Sequence, residues 1–258
     1  MITLLTDFGL ADHFVAVMKG VILTIAPQTS IIDITHEVPA FGILSGAFLL
    51  EQSWRAFPQG TIHVAIVDPG VGSERRPLLI EVAGHYFIGP DNGLLSFALA
   101  EANAKARHLN QPGYWLSNPS TTFHGRDIFA PAAAHLAAGI KAAKLGTLIK
   151  DAMRSPALIP TRLSRRTFVG TVLHTDRFGN LITNFPITQF ETLRNRPFTL
   201  SVGLNQVELY ASTYANCPPG ELCVIPGSCG FYEVSITNAS AAKHTGLIPG
   251  SPLELTLA

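Results

Sequence analysis

TIHVAIVDPGVGSERR, residues 61–76, decides the reading of this chain. Residues 63–67 are a short, mostly apolar run rich in β-branched side chains, the composition of a strand in a covered sheet. Asp68-Pro69-Gly70 ends it, because proline cannot donate to a β-ladder and glycine takes the φ values of a tight turn. The stretch is a buried strand with an acid at its C-terminal tip, where open α/β sheets place their ligands. Across the glycine-containing turn, Arg75 and Arg76 return towards that acid.

Upstream, residues 1–6 form an apolar opening strand that ends at Asp7-Phe8-Gly9. Apolar residues at helical spacing (Phe14, Val17, Met18, Val21, Ile22) predict a helix over 12–25 with Asp12 as its N-cap. Residues 31–34 read as a second strand and 43–55 as an amphipathic helix. Downstream, 77–82 and 86–88 resemble a hairpin pair, 94–106 a helix, and 127–138 a helix with Asp127 at its N-terminus. This alternation predicts a three-layer α/β domain with a mostly parallel sheet over residues 1–150. Residues 151–166, with two prolines and four arginines, read as a linker. Over 167–258, short strand candidates punctuated by Gly, Pro and Asn predict a small all-β, barrel-like domain.

The chain is 14% charged, against roughly 25% in an average domain, so much of its surface should be covered. Oligomerisation is the simplest cover. Eighteen basic residues balance eighteen acidic ones, which removes the electrostatic footprint of a nucleic-acid binder. No 18-residue apolar run and no cationic leader pattern occur, which argues against a membrane or secreted location and for a cytoplasmic one. Cys217, Cys223 and Cys229 match no zinc spacing and are expected to be reduced thiols.

Four polar clusters carry the candidate chemistry. Asp7 lies at a strand tip, where a carboxylate can accept hydrogen bonds from the vicinal hydroxyls of a ribose, or shape a turn. Asp68 with Arg75 or Arg76 can form a bidentate pair, either structural or fixing a functional carboxylate. His124 immediately precedes a helix N-terminus, whose positive end favours the neutral imidazole that a proton acceptor requires. Asp176-Arg177-Phe178-Gly179-Asn180 is dense enough to read an amino acid or a base edge, or to make turns. No cluster has metal-site, P-loop or dinucleotide spacing, although Asp7, Asp68, His124 and Asp127 together have the chemistry to hold a metal.

Seven segments, in order along nearly the whole chain, carry a resemblance. They are TDFG at 6–9, ITHEVP at 34–39, VDPGVGSERRP at 67–77, GPDNGLL at 89–95, FHGRDIFAP at 123–131, DRFGNLITN at 176–184 and GSCGFYEV at 227–234. The chain is similar to the S-adenosylmethionine hydroxide adenosyltransferases, relatives of the fluorinases and chlorinases. The resemblance implies a homotrimer of two-domain subunits with active sites at subunit interfaces. It implies the reaction of S-adenosylmethionine with water to give adenosine and methionine, with no cofactor or metal. By position, Asp68, Arg75 and His124 match the residues that orient and activate the water. Asp7 matches the ribose contact, Asp176 and Ser228 contacts to the methionine end, Phe178 and Asn180 contacts around the adenine, and Asn238 a residue near its edge. Phe41 falls where the halogenases carry a tryptophan. Departures are Cys229, where the halogenases place an arginine, and Ile236 at another of their basic positions.

Displacement at C5′ of a sulfonium releases a neutral thioether, so it needs no leaving-group acid, only an oriented nucleophile. A halide needs a pocket of neutral donors, and a nearby carboxylate would repel it. Asp68 and His124 therefore favour water. A halide adenosyltransferase, a non-catalytic adenosine or S-adenosylmethionine binding module, and a metal-dependent hydrolase are the rival readings.

Overall fold

The computed structural model describes residues 1–258, the side chain of Pro156 aside, and in it the run at 62–66 is a strand buried at all five positions. The chain divides into two units, Met1–Ser155 and Pro156–Ala258.

The first unit opens with β1 (Ile2–Thr6), α1 (Phe14–Ile25), β2 (Ile31–Thr35), α2 (Ile43–Ser53) and β3 (Ile62–Ile66). It continues with β4 (Pro77–Val82), β5 (His85–Pro90), α3 (Ser96–Ala100) and β6 (Lys105–His108). A π-helical turn, Gly125–Phe129, leads into α4 (Ala130–Ala137), followed by α5 (Ala142–Leu145) and β7 (Thr147–Ile149).

These strands make one sheet in the order β2-β1-β3-β5-β4-β6-β7. The β2, β1, β3 and β5 strands are parallel, but β4, β6 and β7 pair antiparallel. The expected mostly parallel sheet is therefore mixed. The cause is local: Ala83 (φ 52°) and Gly84 (φ 78°) make a two-residue turn of left-handed residues, which reverses the chain as a tight hairpin. The predicted helix over 94–106 is also corrected, to the single turn Ser96–Ala100 and then strand β6. Asn103, at φ 62°, turns the chain between them. Asp12 caps nothing; α1 starts at Phe14 with no side-chain cap.

Both faces of the parallel strands are covered. Ile2, Leu4, Val64 and Ile66 pack with Met18, Ile22 and Phe129 from α1 and the π turn. On the other face Gly46 of α2 sits so close that an added Cβ would lie 2.9 Å from Leu94 and 3.0 Å from Val67.

The second unit contains β8 (Thr161–Arg162), β9 (Thr167–Thr175), β10 (Leu181–Pro186), β11 (Phe198–Val202) and β12 (Asn205–Val207). Then come β13 (Cys223–Pro226), β14 (Phe231–Ser235), the short α6 (Ala241–Thr245) and β15 (Pro252–Leu257). Seven strands run in the order β12-β11-β15-β9-β10-β14-β13, with β8 paired to β9. Past β12, backbone bonds from Ala211 to Val224 (3.0 Å) and from Val224 to Leu209 (2.8 Å) bring the chain against β13, so the barrel nearly closes. Phe185, Phe190, Leu200, Val202, Val234 and Leu253 fill it.

Residues 151–155 belong to the first unit, where Met153 N–H donates to Asp91 (2.7 Å) and Ser155 N–H to Ser96 (2.7 Å). The expectation of three reduced thiols is corrected. Cys217 and Cys223, Cα atoms 6.0 Å apart, are disulfide-bonded, and only Cys229 is free. The Pro218-Pro219-Gly220 turn between them brings the two side chains within bonding reach. Among the described residues no helix is long and apolar enough to cross a membrane.

Candidate active site

In the first unit two acids stand at the same end of the sheet. β1 and β3 are parallel neighbours, with Thr6 opposite Ile66, so Asp7 and Asp68 both follow the C-terminal strand ends. Asp7 Oδ2 accepts the backbone N–H of Phe41 at 2.8 Å. Burial pushes the Asp7 carboxyl up, the Phe41 bond opposes this, and the charge of Asp68 adds to the rise. Phe41 is held at φ 63° with its ring 71% exposed, a strained backbone position of the kind that collects at functional sites.

Asp68 faces Arg75, not Arg76. Arg75 Nε–H donates to Oδ1 at 3.0 Å and Nη2 to Oδ2 at 2.5 Å, a two-pronged pair between side chains that are 7% and 5% exposed. The same Nη2 lies 2.7 Å from Nδ1 of His124. A guanidinium can only donate, so His124 Nδ1 accepts, and the proton of the neutral ring sits on Nε2. Burial, then the Arg75 charge, hold the imidazole pKa below its ordinary value, while Asp68 and Asp127 pull it back less strongly. Arg75 Nη1 is buried with no partner among the described residues, a donor open to a polar ligand atom.

The neighbouring charges brace this triad. Arg76 donates to Asp91 from Nε (2.9 Å) and Nη2 (2.7 Å), and from Nη1 to Asp151 (2.9 Å). Asn92 Nδ2 donates to Val67 O at 2.8 Å, clasping the strand end next to Asp68. Asp127 accepts Arg126 Nε (2.6 Å) and Ser120 N–H (2.7 Å), which fixes the loop before His124. With Asp68, His124 and Asp127 so engaged, no three His, Cys, Asp or Glu side chains among the described residues form a metal-holding group. Sequence reasoning assigned no role to Asp91 or Asn92, although GPDNG was visible as a turn.

In the second unit the remaining candidates lie on the β9–β10 loop, on the β13–β14 loop and just after β14. Asp176 Oδ1 accepts the N–H groups of Phe178 (2.9 Å) and Asn180 (2.8 Å), and Oδ2 accepts Asn180 Nδ2 (2.8 Å). This carboxylate therefore shapes its own loop, leaving Phe178 78% exposed and Asn180 buried. Gly179 O accepts Ala242 N–H at 2.9 Å, tying that loop to the segment after β14, where the exposed Asn238 sits at φ 57°. Ser228 is exposed on the β13–β14 loop beside Cys229. Two residues there were missed. Tyr214 OH donates a short hydrogen bond to Glu233 Oε1, and the charge of Asp176 acts on both. Glu233 lay in the quoted GSCGFYEV segment, but a glutamate inside a strand pattern carries no local signal of its role.

A mixed α/β unit with an Asp–Arg–His triad at a strand tip, followed by a small antiparallel barrel, defines a class of enzyme-like two-unit proteins. Residues 2–146 match the model of the SAM hydroxide adenosyltransferase N-terminal domain and residues 170–254 that of the C-terminal domain. The chain belongs to the SAM hydroxide adenosyltransferase family. It is 37% identical over 261 residues to an (R)-S-adenosyl-L-methionine hydrolase of Salinispora arenicola, covering 99% of this chain and 97% of the relative. A fluorinase of Nocardia brasiliensis is more distant, 29% identical over 220 residues, 75% of this chain and 73% of its own. A crystal structure of an uncharacterized conserved protein from Thermotoga maritima superposes with a TM-score of 0.87 at 34% identity, covering 99% of this chain and all of the other.

Proposed function

We propose that this protein hydrolyses S-adenosylmethionine to adenosine and methionine by direct substitution with water at C5′. The observation that carries the reading is the Arg75 fork, which joins the Asp68 carboxylate and the His124 ring into one fixed group. A water held there accepts from the open Arg75 Nη1 and donates to Asp68, while His124, with Nδ1 on Arg75 and its Nε2–H aimed away from the fork, holds the guanidinium in place. As its oxygen bonds to C5′, the C5′–S bond breaks and the electron pair returns to sulfur, giving a neutral thioether. The oxygen then carries two protons and a positive charge and is strongly acidic, so the Asp68 carboxylate can take the surplus proton. His124 need not accept it, because its one lone pair already faces Arg75. Asp7 supplies the carboxylate for the ribose hydroxyls, and Phe41, Phe178, Asn180 and Asn238 surround the base. Asp176 and Ser228 lie at the methionine end. No cofactor or metal takes part.

The assembly we propose is a homotrimer, in which the second unit of a neighbouring subunit completes each site. Large exposed apolar side chains on the site loops, Leu10 and Phe41 in the first unit and Phe178 in the second, support a covering partner.

The test is product chromatography from S-adenosylmethionine with and without chloride. Adenosine and methionine are expected in both, unchanged after chelator treatment. Turnover should fall about 100-fold or more in Asp68→Asn and Arg75→Lys, because the acceptor or the fork is lost. Formation of 5′-chloro-5′-deoxyadenosine would replace the water reading with halide transfer, and no turnover by the unmodified protein would leave a binding module.

A further inference from the structure

The turn that carries Asp7 is tied to His36, a buried residue just past the end of β2. The pairing of β1 with β2 brings it there. Leu4 stands opposite Asp33, but Leu5 stands opposite Thr35, so β2 carries one extra residue, Ile34, between them. This bulge advances β2 and sets His36 alongside Thr6. His36 Nδ1 lies 2.8 Å from Thr6 Oγ1, and the same Thr6 oxygen accepts Phe8 N–H at 3.2 Å. The main chain adds a second tie, because His36 O accepts the N–H of Gly9 at 2.8 Å, where φ of 66° turns the chain. Ring and carbonyl thus bind residues on both sides of Asp7-Phe8. Behind the ring, His36 Nε2 is 3.1 Å from Asp33 Oδ1, an ion-pair distance at an angle too bent for a hydrogen bond. Lys19 Nζ in turn donates to Asp33 Oδ2 at 2.6 Å. A carboxylate facing Nε2 calls for a proton there, which in the neutral ring leaves Nδ1 to accept the Thr6 hydroxyl.

Resting on the hydrolase reading above and its assignment of Asp7 to the ribose, we propose that His36 is a positioning residue. It fixes the turn Thr6–Gly9 so that the Asp7 carboxylate is aimed at the ribose hydroxyls, and Asp33 sets the tautomer that lets it do so. Phe41 N–H holds one oxygen of that carboxylate, and the His36 clamp holds the backbone from which it springs. An acceptor fixed in this way meets the hydroxyls without first ordering its own turn, so loosening the clamp should weaken ribose recognition before it touches the chemistry at C5′.

The experiment measures kcat and KM for S-adenosylmethionine and for its 2′-deoxyribose analogue. The unmodified protein should prefer S-adenosylmethionine by roughly 10- to 100-fold in kcat/KM, and Asp7→Ala should erase most of that preference. In His36→Ala, kcat/KM for S-adenosylmethionine should fall roughly 10-fold, mostly through KM, while the analogue is turned over nearly as before, so the preference shrinks. His36→Asn, which puts an oxygen acceptor where Nδ1 stands, should restore most of it. Equal losses for both substrates in His36→Ala, with the preference erased by Asp7→Ala, would overturn the positioning role and leave the histidine as part of the scaffold. A preference that survives Asp7→Ala would take Asp7 off the ribose, and the positioning role would fall with it while hydrolysis stands. No turnover of either substrate by the unmodified protein would remove the hydrolase reading and the inference together. Should His36→Ala fail to fold, Thr6→Val, which keeps the buried shape but loses the hydroxyl, decides on the same ratio, since a purely structural clamp would not change selectivity for the ribose hydroxyl.

Discussion

His63 is wholly buried in β3, with its Nδ1 2.8 Å from Thr3 Oγ1 and its Nε2 3.2 Å from His85 Nδ1. Burial first, and the neighbouring His85 second, lower its pKa from 6.5 to about 3. Above pH 6.5 the ring is neutral in both folded and unfolded chains, so it costs nothing. Between that value and about 3 the unfolded chain binds a proton that the folded chain refuses. Stability must therefore drop as pH falls through this window, by a slope approaching about 1.4 kcal/mol per pH unit. Urea unfolding followed from neutral to mildly acidic pH should show the midpoint falling. His63→Gln should flatten the slope, and an unchanged slope would place the acid sensitivity elsewhere. His63 sits on the strand that leads to Asp68, so acid loss of activity is to be separated from loss of fold by measuring both on the same samples.

The turn between β3 and β4 is the element on which the candidate chemistry hangs. Val71 N–H donates to Asp68 O (3.2 Å), Ser73 N–H to Gly70 O (3.1 Å) and Arg75 N–H to Ser73 Oγ (3.3 Å), so the turn itself sets where the Arg75 fork begins. Gly72 has φ 80°, and a Cβ there would run into the carbonyl oxygen of Thr121, just ahead of His124. Gly72→Ala should cost about 1–3 kcal/mol of stability. It should lower turnover out of proportion to that cost, because it moves Arg75 and His124 apart. Thermal melting and single-turnover rates on the same variant check this; loss of stability with full turnover would show that the turn is only scaffold. Much of this element was legible in the sequence, since an apolar β-branched run, a Pro-Gly stop and two returning arginines are local facts. The choice of Arg75 needed the family spacing, because Asp91 and Asp151, the acids that claim Arg76, are distant in sequence. The mixed sheet was missed although its hairpin was read, because strand β6 hides in a run with helical composition. The Tyr214–Glu233 pair was missed because it depends on how a β-barrel brings a loop and a strand together, which periodicity does not encode, whereas the disulfide was missed although the turn that closes it is local.

At the scale of the whole molecule, the question is how many chains make one site. With 14% of its residues charged and apolar side chains exposed on the loops that carry Asp7 and Asp176, a lone subunit leaves its candidate binding surfaces uncovered. A ring closed by three identical head-to-tail contacts covers them all with one interface. Sedimentation should then give three times the 27.7 kDa of one chain. The sharper prediction concerns complementation. Asp68→Ala disables the first unit and Asn180→Ala the second, so each variant alone should be nearly inactive. If each site combines the first unit of one subunit with the second unit of its neighbour, equal mixing after dissociation should restore about a quarter of full activity, since one pairing in four joins two intact units. Sites contained within single subunits would recover nothing on mixing. A mixed ring that forms, by mass, yet stays inactive would therefore remove the shared site and leave the trimer as packing alone.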